Sequence, residues 1–183
     1  AVLRATPGSR LVIGAADAPG EARLRAQFAA AGVEGSRLEF LPRLDTTSYL
    51  KAHDRVDLLL DTSPYAGGTT TCLGLWMGVP TLTVPGPTLP SRAGAAILER
   101  VGLKDFIASD AADFVARAAA FADPSAREGL AEVRAGLRER LRRSNIGSSR
   151  AAIETFEDGA RMAWRRWCEG RPPAALVIPP RQP

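Results

Sequence analysis

Residues Leu60 to Pro80 read L-D-T-S-P-Y-A-G-G-T-T-T-C-L-G-L-W-M-G-V-P, a run suited to holding an anion. The apolar stretch Val56 to Leu60 predicts a buried strand. It passes into a turn containing Pro64, Gly67 and Gly68, and Thr69, Thr70 and Thr71 then open an apolar helix. Glycine lets a ligand come close to the backbone. The first N–H groups of a helix have no partner within it and, with the helix dipole, point at whatever sits in front. A phosphate or diphosphate suits such a turn. Alone, G-G-T-T-T is a weak signal, because any N-capped helix could carry it.

The remaining inventory narrows the chemistry. His53 is the only histidine, which excludes a histidine dyad or a multi-histidine metal site within the chain; its place near a helix end predicts a surface residue. Cys72 and Cys168 are far apart and are expected to be buried free thiols rather than a disulfide or metal pair, in keeping with a reducing, cytoplasmic setting. No metal motif is present, so no metal cofactor is expected. Arg134, Arg138, Arg142 and Arg143 group on one side of a helical stretch that also carries Glu128, Glu132 and Glu139. Mixed charge of this kind predicts a solvated helix face, and no helix-turn-helix or aromatic-plus-basic platform accompanies it, so nucleic acid is not an expected partner. Trp76, on the helix after the threonines, is expected to pack between helix and sheet.

At 183 residues the chain has room for one domain with a real core. Its 45% hydrophobic and 24% charged content are those of a soluble globular protein, with a net charge of +4. The apolar runs stop well short of the roughly 20 residues a membrane span requires, so no membrane partner is expected. The chain starts without Met and shows no signal-peptide pattern. Ala1 to Thr6 reads as the tail of a helix closed by Pro7 and Gly8. An α/β domain rarely begins with half a helix, so the expectation is a piece of a longer chain that lacks at least the strand before that helix.

Strands and helices alternate. Apolar runs at Leu11 to Ala15, Leu38 to Pro42, Val56 to Leu60, Thr81 to Pro85 and Phe106 to Ala108 predict strands. Between them lie helical patterns: Ala18 to Gly32, with Leu24, Phe28 and Ala31 on one face; Thr47 to His53, capped by Asp45, Thr46 or Thr47; and Leu89 to Val101, with Ala93, Ala96, Ile97 and Val101 on one face. This is the pattern of an α/β fold, a Rossmann-like doubly wound parallel sheet, which binds ligands beyond the carboxyl ends of its strands. After Asp110 the strands stop, and Ala111 to Ala122, Ser125 to Arg143 and Ser148 to Gly170 predict three C-terminal helices. The expected division is a domain over 1–170 and a Pro-rich, disordered or extended tail over 171–183. No repeat of 20 to 50 residues is visible, so any helical repeat array would lie upstream.

The Leu60 to Pro80 run, followed by Thr81 to Pro85 and G-P-T-L-P-S-R from Gly86 to Arg92, resembles the donor-binding half of O-GlcNAc transferase and SPINDLY-like glycosyltransferases, family 41. The likeness runs in register from about Ala1 to Gly102, through V-L-R-A-T-P-G-S-R-L near the start, L-E-F-L-P at Leu38 to Pro42 and L-L-L-D-T at Leu58 to Thr62. Several ungapped matches in order are specific where one is not. The resemblance implies the C-terminal half of a GT-B fold. It implies an enzyme that transfers N-acetylglucosamine from UDP to serine or threonine hydroxyls of proteins; SPINDLY-type members use GDP-fucose. It also implies that the basic residue and the acceptor-facing groups lie upstream of Ala1, so that no catalytic residue falls within the chain and the segment alone would be inactive.

Residue by residue, the resemblance puts Thr69 and Thr70 on the threonine pair that holds the nucleotide-sugar diphosphate, behind Gly67 and Gly68. Gly68 stands where animal members carry a histidine and looks like the bacterial ones. Tyr49 falls on a histidine that contacts the base, Leu44 on a residue whose backbone reads the base edge, and Thr46 replaces a lysine. Ser91 and Arg92 match a T-L-x-S-R stretch, where capping and local pairing are favoured over donor contact. Leu73 breaks the pattern: the family has an acidic residue there for the ribose hydroxyls, and leucine accepts no hydrogen bond. The competing readings are a non-catalytic nucleotide-binding or interaction module of the same fold and a GT-B sugar epimerase half.

Overall fold

The computed structural model describes residues 1–179 and 181. In chain order the elements are α1 (Val2–Ala5), β1 (Leu11–Gly14), α2 (Ala18–Ala30), β2 (Leu38–Leu41), α3 (Thr46–Ala52), β3 (Leu59–Leu60), α4 (Thr69–Trp76), β4 (Thr81–Leu82), α5 (Ala93–Arg100), α6 (Ala111–Ala122), α7 (Arg127–Arg143) and α8 (Ser149–Cys168), with short 3-10 turns between several of them. The α/β, all-parallel character read from the sequence holds. β1 pairs with β2, Leu11 opposite Leu38 and Gly14 opposite Leu41. β3 pairs with β4, and a parallel bridge from Thr83 to Ile107 continues that side.

The strands are shorter than their apolar runs, for identifiable reasons. Val56 to Asp57 does not join the sheet because the Val56 carbonyl accepts a hydrogen bond from Arg134 Nη1 at 2.7 Å. β4 stops before Val84 and Pro85, and Pro85 has no N–H to give a ladder. The run Phe106 to Ala108 contributes only Phe106 O, accepting from Thr83 N at 3.0 Å, and Ala108 N, donating to Thr83 O at 2.8 Å.

Caps fix the helix starts. Asp45 Oδ1 accepts from Ser48 N at 3.0 Å, which settles which of three candidates caps α3. Asp110 Oδ1 accepts from Ala112 N and Asp113 N, so α6 begins where the sequence places it. Ser148 Oγ caps α8 through Ala151 N. The long apolar core gathers α4, α5, α6 and α7 with Leu58, just before β3: Leu75, Leu98, Phe106 and Leu137 are buried there, and the Phe106 and Phe121 rings stack 4.5 Å apart. Along α5 the buried residues are Gly94, Ala95 and Leu98; of the predicted face, Val101 is buried just past the helix, Ile97 packs half-buried against the core, and Ala93 and Ala96 are half-buried.

A second, smaller cluster joins Leu3, Val33 and Leu38 under β1. Between the clusters runs an apolar groove of about 640 Å³, lined by Leu11, Leu24, Phe28, Leu60, Val84 and Phe114 among others. The α2 face predicted to be core therefore lines this groove, and no residue of α2 is buried.

Four expectations are corrected. His53 is buried, not at the surface: its ring packs edge-on against Tyr49 and Nδ1 lies 3.0 Å from the Tyr49 carbonyl, because the chain tightens there into a 3-10 turn that carries the ring inward. Trp76 is 43% exposed at the end of α4, where the Arg138 guanidinium covers its ring instead of the sheet. Arg134 and Arg138 are not simply solvated; they tie α7 to Val56 and Trp76, and only Arg142 and Arg143 form a surface cluster, around Glu139. Cys168 is exposed at the end of α8, where no residue beyond Ala151 is buried, and Cys72 is half-buried on α4; both are free.

Beyond Ala151, α8 leaves Ile153, Phe156, Trp164 and Trp167 exposed on one stripe. Residues 171–179 form neither helix nor strand and run back along the opposite face, where Arg181 pairs with Asp158 at 2.7 Å. Positions 180, 182 and 183 of the predicted tail lie outside the described residues.

Candidate functional site

The turn between β3 and α4 is built from the strand end outward. Asp61 N donates to Leu82 O at 2.9 Å, the last ladder bond, and its side chain then turns back over the loop. Asp61 Oδ1 accepts from Thr62 N at 3.0 Å and from Gly67 N at 2.7 Å, while Oδ2 accepts from Thr83 Oγ1 at 2.7 Å. Thr62 Oγ1 donates to Tyr65 O, and Ala66, buried, donates its N–H to Pro90 O. The loop is held from both ends before any ligand arrives.

Gly67 and Gly68 have different reasons to be glycine. A Cβ on Gly67 would fall 2.6 Å from Thr70 Oγ1 and 2.8 Å from Thr71 Oγ1, so nothing larger fits without moving the helix start. A Cβ on Gly68 would meet nothing within 4 Å. Gly68 is the N-cap of α4 and supplies no side-chain acceptor.

The three threonines divide the work. Thr71 is buried and its hydroxyl donates to Gly67 O at 2.9 Å, closing the first turn. Thr69 and Thr70 are exposed, side by side at the mouth of the helix. Among the described residues, the backbone N–H groups of Gly68, Thr69, Thr70 and Thr71 have no acceptor. Four unpaired donors, two hydroxyls and the positive end of α4 converge there, an arrangement that accepts an anion with several oxygens.

The other predicted positions stand on a different loop. Leu44 is half-buried between β2 and α3, and Tyr49 lies on α3, half-buried, with burial raising its phenol above the ordinary value of 10. Both follow the carboxyl end of β2 as Gly67 to Thr70 follow that of β3. Leu73 is half-buried on α4, one turn beyond Thr69 and Thr70. Ser91 is buried and serves the 88–91 turn, accepting from Thr88 N at 3.0 Å and donating to Thr88 O at 2.8 Å; Arg92 is exposed.

Sequence reasoning missed Asp61. The signal was present: an acidic residue ending a buried strand and opening a Gly-rich turn has either to be paired or to face water, and here it is paired. Among the described residues no group of three or more His, Cys, Asp or Glu could hold a metal ion, and no helix is long and apolar enough to cross a membrane.

Comparison with known proteins gives this geometry its context. The family described as glycosyl transferase family 41 matches residues 1–155. A protein from Hordeum vulgare named as a probable UDP-N-acetylglucosamine–peptide N-acetylglucosaminyltransferase SPINDLY is 34% identical over 179 residues, covering 94% of this chain and 18% of its own length. The protein of the same name from Arabidopsis thaliana is 31% identical over the same share of this chain. A solved mutant O-GlcNAc transferase from Thermobaculum terrenum superposes with a TM-score of 0.79 at 32% identity, over 92% of this chain and 33% of its own. The chain thus spans about a fifth of the curated relatives' length and a third of that solved chain.

Proposed function

The chain belongs to glycosyl transferase family 41, and from that premise we propose that it forms the donor-binding half of a protein glycosyltransferase. The donor is a nucleotide sugar, with UDP-N-acetylglucosamine favoured by the names of the relatives, and the acceptor is a serine or threonine hydroxyl of a protein or peptide. The observation that carries this reading is the set of unpaired N–H groups of Gly68 to Thr71 beside the exposed Thr69 and Thr70. As the glycosidic bond to the diphosphate breaks, negative charge grows on the leaving phosphate. Preformed donors aimed at that oxygen stabilise the transition state more than the ground state. Such donors do in this chain what a divalent cation would otherwise do. Tyr49 and Leu44 are proposed to meet the base, the ring by its face and the leucine by its backbone.

A second reading, a nucleotide-binding module without transfer activity, is favoured by Leu73 alone, since leucine cannot accept from ribose hydroxyls. One experiment serves both. UDP and GDP are titrated calorimetrically against the full-length protein and its Thr69→Ala/Thr70→Ala variant, and transfer to a peptide is measured alongside. Tight UDP binding that the double variant loses, with transfer, supports the enzyme. Binding without transfer supports the module, and binding unaffected by the double variant removes the site.

A further inference from the structure

We infer that Asp61 is the positioning residue of this site, holding the glycine turn and the mouth of α4 in their binding geometry through a carboxylate clamped by Gly67, Thr83 and Gly94. The inference rests on the donor site proposed above and extends it to residues outside the turn.

The argument is geometric. The Asp61 carboxylate spends Oδ1 on the N–H groups of Thr62 and Gly67 and Oδ2 on the Thr83 hydroxyl. Thr83 is 1% exposed, and its backbone is locked to Phe106 and Ala108, so the hydroxyl marks a fixed point in the core. From the other side α5 closes in: a Cβ on Gly94 would lie 2.5 Å from Oδ2, 3.2 Å from Thr83 Oγ1 and 3.6 Å from Gly67 O. Only a glycine leaves the carboxylate where it is. Gly67 in turn fits beneath the hydroxyls of Thr70 and Thr71, so a shift of Asp61 passes through the Gly67 amide to the residues that would meet the diphosphate. A core hydroxyl and a helix that never touch the ligand thereby set the direction of the free N–H groups. Sites of this kind lose function when their supporting contacts move by a fraction of an ångström.

The test uses the full-length protein, with UDP as the calorimetric probe and steady-state transfer from UDP-N-acetylglucosamine to a peptide. Thr83→Val removes the hydroxyl while keeping the shape, and Gly94→Ala crowds Oδ2 while meeting the turn only at ordinary van der Waals distance, 3.6 Å from Gly67 O. Both are expected to weaken UDP binding and raise the donor KM by about tenfold, short of the roughly hundredfold a 1 Å misplacement can cost, with the acceptor KM unchanged. Thr83→Ser, which keeps the hydroxyl, restores wild-type affinity, and Asp61→Asn, which keeps Oδ1 but not the acceptor for Thr83, falls between. A purely structural role would lower the melting temperature and leave the UDP affinity of the folded variants within twofold of wild type, and that result overturns the inference. Thr69→Ala/Thr70→Ala is measured in parallel. If it weakens binding while Thr83→Val and Gly94→Ala do not, only the positioning role falls; if it leaves binding unchanged, the site and the positioning role fall together.

Discussion

The guanidinium of Arg138 lies 5.2 Å from the centre of the Trp76 ring while its Nε donates to the Trp76 carbonyl at 2.7 Å. One side chain of α7 thus covers the last aromatic of α4 and satisfies one of the carbonyls that a helix end leaves free. Arg138→Ala is expected to lower stability by about 1–2.5 kcal/mol, an exposed cation–π contact of about 0.5–1 together with a solvent-exposed hydrogen bond of about 0.5–1.5. Urea unfolding checks this, and UDP affinity at the far end of α4 is expected to hold.

The two glycines of the turn are expected to separate cleanly. Gly67→Ala drives a methyl into the Thr70 and Thr71 hydroxyls and is expected to lower stability by about 1–3 kcal/mol, the range for an overpacked position, and to weaken UDP binding by displacing the helix start. Gly68→Ala points into open space and is expected to stay within about 0.5 kcal/mol of wild type. Calorimetric titration of the two variants decides it, and equal losses would contradict the geometry.

Leu73 offers a test by gain of function. It stands half-buried one turn behind Thr69 and Thr70. Leu73→Asp is expected to tighten UDP binding by roughly 1–3 kcal/mol, the range for hydrogen bonds to a charged group, by giving the ribose hydroxyls an acceptor. A fall in affinity or stability instead would mean that leucine packs against a pocket already rebuilt around another ribose contact.

Glu139 carries a pH prediction. Hydrogen bonds from Arg142 and Arg143 hold its carboxyl down to about 2, from an ordinary value of 4.5. A carboxylate depressed by folding adds stability that is complete above the unfolded value and is lost as pH falls through the folded one. The contribution at the end of α7 is therefore constant at neutral pH and fades between about 4.5 and 2. An NMR titration of the Glu139 side chain is expected to show a midpoint near 2, and Arg143→Ala is expected to raise it.

The alternation of parallel strands and helices, and helices such as α6, could be read from the chain because local signals agreed: Asp110 caps, and the periodicity is unbroken up to Asp123. Strand lengths could not, since they depend on partners distant in sequence. Nothing near Val56 foretells that Arg134 takes its carbonyl, and nothing near Trp76 foretells Arg138. The glycines and threonines of the turn were legible because their chemistry is local. Asp61 was not, because its role appears only when Thr83 and Gly94 are brought beside it. His53 misled for a related reason: a single titratable residue near a helix end looks solvated until the turn that buries it is known.

The groove between the two clusters has a calorimetric consequence. Denaturant slopes and the heat capacity of unfolding follow the apolar area that unfolding newly exposes to water. Leu11, Leu24, Phe28, Leu60 and Phe114 line an open groove and are partly hydrated while the chain is folded. The isolated 183-residue chain is therefore expected to unfold with a urea slope and a heat-capacity increment below those set by its size, roughly 12–15 cal/mol/K per residue for a close-packed domain. A partner that filled the groove would steepen both, so the shape of the melting curve, before any rate is measured, reports whether the groove is covered.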